Sequence, residues 1–154
     1  MNSSNPPKTS RSEPLAPQLA HGSGRALSVL VVDDDKFMLT VLTDMLQDLG
    51  VHSVSTAASG AEAAATFDRM VPPDLILCDL KMPGGDGFQF MEMLASRKFA
   101  GGVILVSGME TRVLNSASLM ARFHRLNVLA TLNKPVSPPA LSAALLSWSD
   151  ARRP

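Results

Sequence analysis

Residues 74–87, Asp-Leu-Ile-Leu-Cys-Asp-Leu-Lys-Met-Pro-Gly-Gly-Asp-Gly, constrain the fold more than any other stretch. An apolar run of strand length ends in one carboxylate, Asp79. A tight Pro-Gly-Gly turn follows, and Asp86 stands where a helix N-cap belongs. In open α/β sheets, ligands sit outside the carboxyl ends of the strands, so such a run aims Asp79 at the working edge. The pattern recurs three times. Residues 29–32 run into Asp33-Asp34-Asp35, residues 103–106 into Ser107-Gly108, and residues 128–132 into Asn133-Lys134-Pro135. Acids, a hydroxyl and an amine thus stand at strand ends.

Helical patterns separate these runs. Phe37, Val41, Leu42, Met45 and Leu49 recur at helical spacing, and Gly50 closes that helix. A second strand is predicted over 51–56. Ser59 can cap an Ala-rich helix reaching about residue 70, with Glu62 placed as in a capping box. Pro72-Pro73 breaks the chain before the third strand, over 75–78. Phe88, Met91 and Leu94 mark a third helix, and Gly101-Gly102 precedes the fourth strand. Val113, Leu114, Ala117, Met120 and Ala121 mark a fourth helix. After the fifth strand, Pro138-Pro139 opens a last helix through Leu141, Leu145 and Trp148. Five βα units with short connections predict an α/β fold: a three-layer, doubly wound, parallel five-stranded sheet of flavodoxin-like order 2-1-3-4-5. Residues 1–26, rich in Ser, Pro, Asn and Gly, read as a disordered tail. Residues 27–150 read as one domain and 151–154 as a C-terminal tail.

The formal net charge is zero, so nothing steers the chain to nucleic acid or to an anionic membrane. No stretch reaches the ~18 apolar residues of a membrane span, and the N-terminus lacks the apolar core of a secretory signal. A cytoplasmic location is expected. The single cysteine, Cys78, lies inside an apolar run and reads as a buried, inert thiol. His52 and His124 read as surface or satisfied histidines.

Carboxylates gathered at one sheet edge repel, by roughly 4 kcal/mol for a pair about 4 Å apart at an effective dielectric near 20. Such a cluster takes up protons or a cation. Hard oxygen ligands with open positions suit Mg²⁺. A carboxylate beside a metal, an ammonium and a hydroxyl is equipped for phosphoryl transfer. The acid attacks, the positive groups neutralise the phosphoryl oxygens, and the hydroxyl donates to one of them. Singly, each residue has a structural reading: Asp33, Asp34 and Asp35 as helix starters, Asp79 in a turn, Ser107 as a cap, Lys134 as a surface charge. Together, at four strand ends, they point to one site.

These residues resemble the receiver domain of two-component response regulators. The resemblance spans about residues 28–148. It is carried by Val-Val-Asp33-Asp34, Asp79-Leu-Lys-Met-Pro-Gly-Gly-Asp-Gly87, Val106-Ser107-Gly108 and Lys134-Pro135. It implies that Asp79 accepts a phosphoryl group from a histidine kinase or phosphotransfer protein, and that the chain is not itself an enzyme. Asp34, Asp79 and the Lys81 backbone carbonyl would bind Mg²⁺, with Asp33 assisting through water. Ser107 would bind the phosphoryl group and move with it, Lys134 would pair with it, and the Lys134–Pro135 bond would be cis. Thr131 departs from the pattern, because the family often places an aromatic three residues before this lysine. The segment between Ser107 and Lys134 is also about one helical turn longer than in the commonest members of the family. It is similar to receivers that precede cyclic-di-GMP phosphodiesterase domains, so the chain is expected to be a stand-alone receiver or a fragment. Output, and any homodimer, would use the fourth helix and fifth strand. Two alternatives compete: a haloacid dehalogenase-type phosphatase with Asp33 as nucleophile, and a receiver-like scaffold that is never phosphorylated.

Overall fold

Successive strand residues point to opposite faces of a sheet, and the inner apolar runs here are buried on both. The computed structural model describes residues 26–108 and 122–151. Its strands are β1 (Ser28–Val32), β2 (Ser53–Ala57), β3 (Leu75–Asp79), β4 (Gly102–Ser107) and β5 (Asn127–Asn133). They form one sheet of order β2-β1-β3-β4-β5, parallel throughout. The described helices are α1 (Lys36–Asp48), α2 (Gly60–Arg69), α3 (Asp86–Ser96) and α4 (Pro138–Ala151), with a 3₁₀ turn at Pro83–Gly85. The expected fold class and strand order are therefore observed.

On one face, Val29, Val31, Leu75, Leu77, Ile104 and Val106 pack with Leu42 and Leu46 of α1 and with Leu141, Leu145 and Trp148 of α4. On the other, Leu30, Val32, Ile76, Cys78, Val103 and Leu105 pack with Ala63 of α2 and Phe90, Met91 and Leu94 of α3. These are the three layers. Each fully buried aliphatic side chain contributes about 1.5–3 kcal/mol, so the central strands anchor whatever stands at their ends.

The helix ends explain several sequence features and correct others. Asp35 is the N-cap of α1, accepting from Phe37 N at 2.9 Å and Met38 N at 3.4 Å, so the third acid of the run does serve a helix. At the other end, Gly50 (φ 95°) closes a Schellman motif. Its N–H donates to Gln47 O at 3.0 Å, and Val51 N donates to Leu46 O at 2.8 Å. Helix α3 ends with the same pair of bonds, Lys98 N to Ala95 O and Phe99 N to Leu94 O. There a lysine, not glycine, holds the left-handed position (φ 55°). Phe37, expected on the apolar face of α1, is 72% exposed. It lies in the first turn, at the carboxyl edge of the sheet, and Leu39, Leu42 and Leu46 cover the strands instead.

Strand β2 lies two residues later than expected at its start and is a mostly polar edge strand. Ser59 caps α2 as expected, accepting from Glu62 N at 3.0 Å. Glu62 reaches back to Ala58 N at 3.2 Å, one residue before the usual capping-box partner. Asp86 does not cap its own helix. It is the first residue of α3, with helical φ −55° and ψ −37°, and its carboxylate accepts from Gly60 N at 3.2 Å. It thus ties the N-terminus of α3 to that of α2. The fit is close, since a Cβ on Gly60 would lie 2.7 Å from Asp86 O.

Helix α4 runs one residue past the boundary expected at 150. The helix expected over 113–121, and the tail up to residue 25, lie outside the described residues. Among the described residues no helix is long and apolar enough to cross a membrane.

Candidate functional site

Register brings the strand ends together. Val32 pairs with Cys78, Asp79 with Val106, and Ser107 with Asn133. The residues just beyond, Asp33 and Lys134, therefore converge on Asp79.

Asp79 is the last residue of β3 and is 2% exposed. Its Oδ1 accepts from Lys81 N at 3.0 Å and its Oδ2 from Lys134 Nζ at 3.0 Å. The strand end is held from behind by Gly87. A Cβ at that position would lie 2.4 Å from Asp79 O and 2.6 Å from Leu80 O. Only glycine lets the first turn of α3 pack so close, which gives the last glycine of the 79–87 motif a steric reason. Leu80 N also donates to Val106 O at 3.2 Å, extending the β3–β4 ladder past Asp79.

Asp33 is fully buried. Its backbone N–H donates to Ala57 O at 3.1 Å, its Oδ1 accepts from Asp35 N at 2.9 Å, and its Oδ2 lies 3.0 Å from Lys134 Nζ. Lys134 thus bridges two buried acids. Its hydrogen bond goes to Asp79, and its contact with Asp33 is an ion pair. Its backbone N–H donates to Ser107 O at 2.9 Å, and the Lys134–Pro135 bond is cis. Asp34 is exposed, yet it contributes an oxygen to the cluster. One carboxylate oxygen from each of Asp33, Asp34 and Asp79 lies within 4.8 Å of the others.

Burial raises the Asp33 pKa, opposed by the Asp35 N–H and Lys134 and reinforced by the charge of Asp79. For Lys134, burial works against the charge, but the hydrogen bond to Asp79 and the contact with Asp33 outweigh it and raise the pKa. Burial, with the Asp79 and Asp33 charges adding, pushes the Cys78 thiol well above the ordinary thiol range. That matches the expected inert thiol. Three carboxylates against one ammonium leave an excess of negative charge. All-oxygen donors with an exposed member fit a hard divalent cation that keeps waters.

Ser107 is buried, and its hydroxyl donates to Asn133 Oδ1 at 3.4 Å. Sequence reasoning placed Ser107 here but gave Asn133 no role. The only signal was its place directly before Lys134. Thr131 Oγ1, at the position where the family often carries an aromatic, is buried without a partner among the described residues.

Fold and site together define a doubly wound α/β domain with a lysine-bridged acidic pocket at its carboxyl edge. Residues 29–146 match the response regulator receiver domain, and the chain belongs to that family. It is 33% identical over 127 residues, 82% of its length, to the cyclic di-GMP phosphodiesterase RocR of Pseudomonas aeruginosa, of which it covers 32%. It is 46% identical over 67 residues, 44% of its length, to a protein-glutamate methylesterase/protein-glutamine glutaminase of Natronomonas pharaonis, of which it covers 19%. The chain thus spans a third or less of these relatives. Among solved structures, it is similar to a response regulator from Colwellia psychrerythraea, with 29% identity and a TM-score of 0.67, over 83% of this chain and 100% of that one. It is also similar to a chain of the CheX–CheY–BeF3–Mg complex of Borrelia burgdorferi, with 25% identity and a TM-score of 0.68, over 81% of this chain and 90% of that one. Membership of the receiver family sets aside the phosphatase alternative with Asp33 as nucleophile.

Proposed function

We propose that this receiver domain is a phosphoacceptor switch whose acceptor is Asp79. The carrying observation is Asp79 itself: it ends a central strand, is fixed by two hydrogen bonds at 3.0 Å, and sits beside a second buried acid and a lysine. An oxygen of the Asp79 carboxylate attacks phosphorus, the bond from phosphorus to the donor's imidazole nitrogen breaks, and the imidazole leaves with its electron pair. The donor is a histidine kinase or phosphotransfer protein.

Lys134 holds Asp79 before transfer and pairs with the phosphoryl oxygens after it. Ser107 supplies a hydroxyl donor. Asp33, Asp34, Asp79 and the Lys81 backbone carbonyl would hold Mg²⁺, which when bound neutralises charge on the transferring group. The domain takes residues 27–150 and, in a cytoplasmic setting, would pass its state on through β5 and the segment before it, to a partner or a second copy.

Acetyl phosphate with Mg²⁺ should add one phosphoryl group by intact mass, and chelation should prevent it. No uptake by the wild type under any donor would favour the unphosphorylated scaffold.

A further inference from the structure

Ser107 and Asn133 end their strands side by side. Their Cα atoms are register partners, and Lys134 N, one residue on, donates to Ser107 O at 2.9 Å. Their side chains are joined as well, by the hydroxyl's donation to Asn133 Oδ1 at 3.4 Å. Among the described residues, Asn133 is the hydroxyl's partner. A serine hydroxyl has one proton to donate. While that proton is directed at Asn133, it is not available to an oxygen arriving on Asp79.

We infer that Asn133 is a positioning residue. It holds the Ser107 hydroxyl in its resting orientation, and a phosphoryl group on Asp79 must take the proton from it. This rests on the roles proposed above for Asp79 and Ser107. At 3.4 Å the bond is long for O–H···O, so it is weak and easily exchanged. A short bond would hold the hydroxyl back, and none would leave it without a defined resting state. Asn133 is exposed while Ser107 is buried. The exchange therefore releases a surface amide at the end of the edge strand, next to Lys134.

Calorimetric titration with beryllofluoride in saturating Mg²⁺ tests this on the full chain. The proteins are wild type, Asn133→Ala, Asn133→Val, Ser107→Ala, the Ser107→Ala/Asn133→Ala double variant and Asp79→Asn. Valine, β-branched, suits a strand position and guards against an effect peculiar to alanine. Both Asn133 variants should bind beryllofluoride about threefold to tenfold more tightly, the range one weak hydrogen bond spans. The gain should vanish when Ser107 is alanine, and affinity for Mg²⁺ alone should not change. Unchanged or weaker beryllofluoride binding in the Asn133 variants would overturn the inference, weaker binding meaning that Asn133 contacts the phosphoryl group directly. An equal gain without the Ser107 hydroxyl would overturn it too. If wild type shows no Asp79-dependent binding, the phosphoacceptor reading itself fails, and that result needs none of the Asn133 variants.

Discussion

The two sides of the site are built differently. On the acid side, Asp79 and Asp33 are buried at 2% and 0% exposure and bridged by one ammonium, and Gly87 is pressed against the Asp79 and Leu80 carbonyls with no room for a methyl. On the hydroxyl side, the Ser107 hydroxyl is held, among the described residues, by one long hydrogen bond. Among the described residues, a Cβ on the next residue, Gly108, would meet nothing within 4 Å. The acid side is fixed in advance, as the proposed phosphoryl transfer would require. The hydroxyl side is less tightly held, as the proposed response to a phosphoryl group would require.

The same substitution on each side should give opposite results. Gly87→Ala drives a methyl into two backbone carbonyls that cannot move aside, and overpacking of this kind costs typically about 1–3 kcal/mol or more. We expect the upper end of that range. Gly108→Ala should change stability by less than about 0.5 kcal/mol. Urea midpoints at unchanged slope measure both, and equal losses would erase the contrast.

Lys134→Met tests what holds the acids. Removing one partner of a fully buried pair costs about 3–5 kcal/mol. Lys134 is 24% exposed, so a loss of about 2–3 kcal/mol is expected without Mg²⁺. With the ammonium gone, the acids should bind Mg²⁺ more tightly than in the wild type, and saturating Mg²⁺ should recover part of the loss. A variant as stable as wild type without the ion would show that the acids are not strained by their proximity.

Ser107→Ala removes only the weak bond, so stability should fall by no more than about 1 kcal/mol, while beryllofluoride binding weakens severalfold. A small gain in stability is expected far from the site. Lys98→Gly relieves a left-handed lysine at the end of α3 and should stabilise the fold by about 0.5–1 kcal/mol without altering Mg²⁺ affinity. A changed affinity would mean that the acid side is tuned through the whole of α3 and not at Gly87.

Much of this is legible in the sequence. Apolar runs ending in Asp33, Asp79, Ser107 and Lys134 determine which residues meet, because parallel strands deliver their carboxyl ends to one edge. What was not legible depends on relations between distant segments. The pairing of Ser107 with Asn133 needs the register of two strands. The tie from Asp86 to Gly60 spans two helices whose spacing no local pattern encodes. Phe37 carries the right period but lies where α1 begins, at the edge of the layer it was expected to face. Lys98 shows a left-handed cap where the usual glycine signal is missing. The reason Gly87 must be glycine lies in carbonyls seven and eight residues earlier.

The proposed switch depends on Asp79 being the residue that accepts the phosphoryl group. Borohydride reduces an aspartyl phosphate to homoserine, so treating the chain with acetyl phosphate and Mg²⁺, then borohydride, then trypsin marks the acceptor directly. Mass spectrometry should find homoserine at position 79 in the peptide covering residues 70–81, and nowhere else. Homoserine at position 33 or 34 instead, with Asp79 unmodified, would contradict the account.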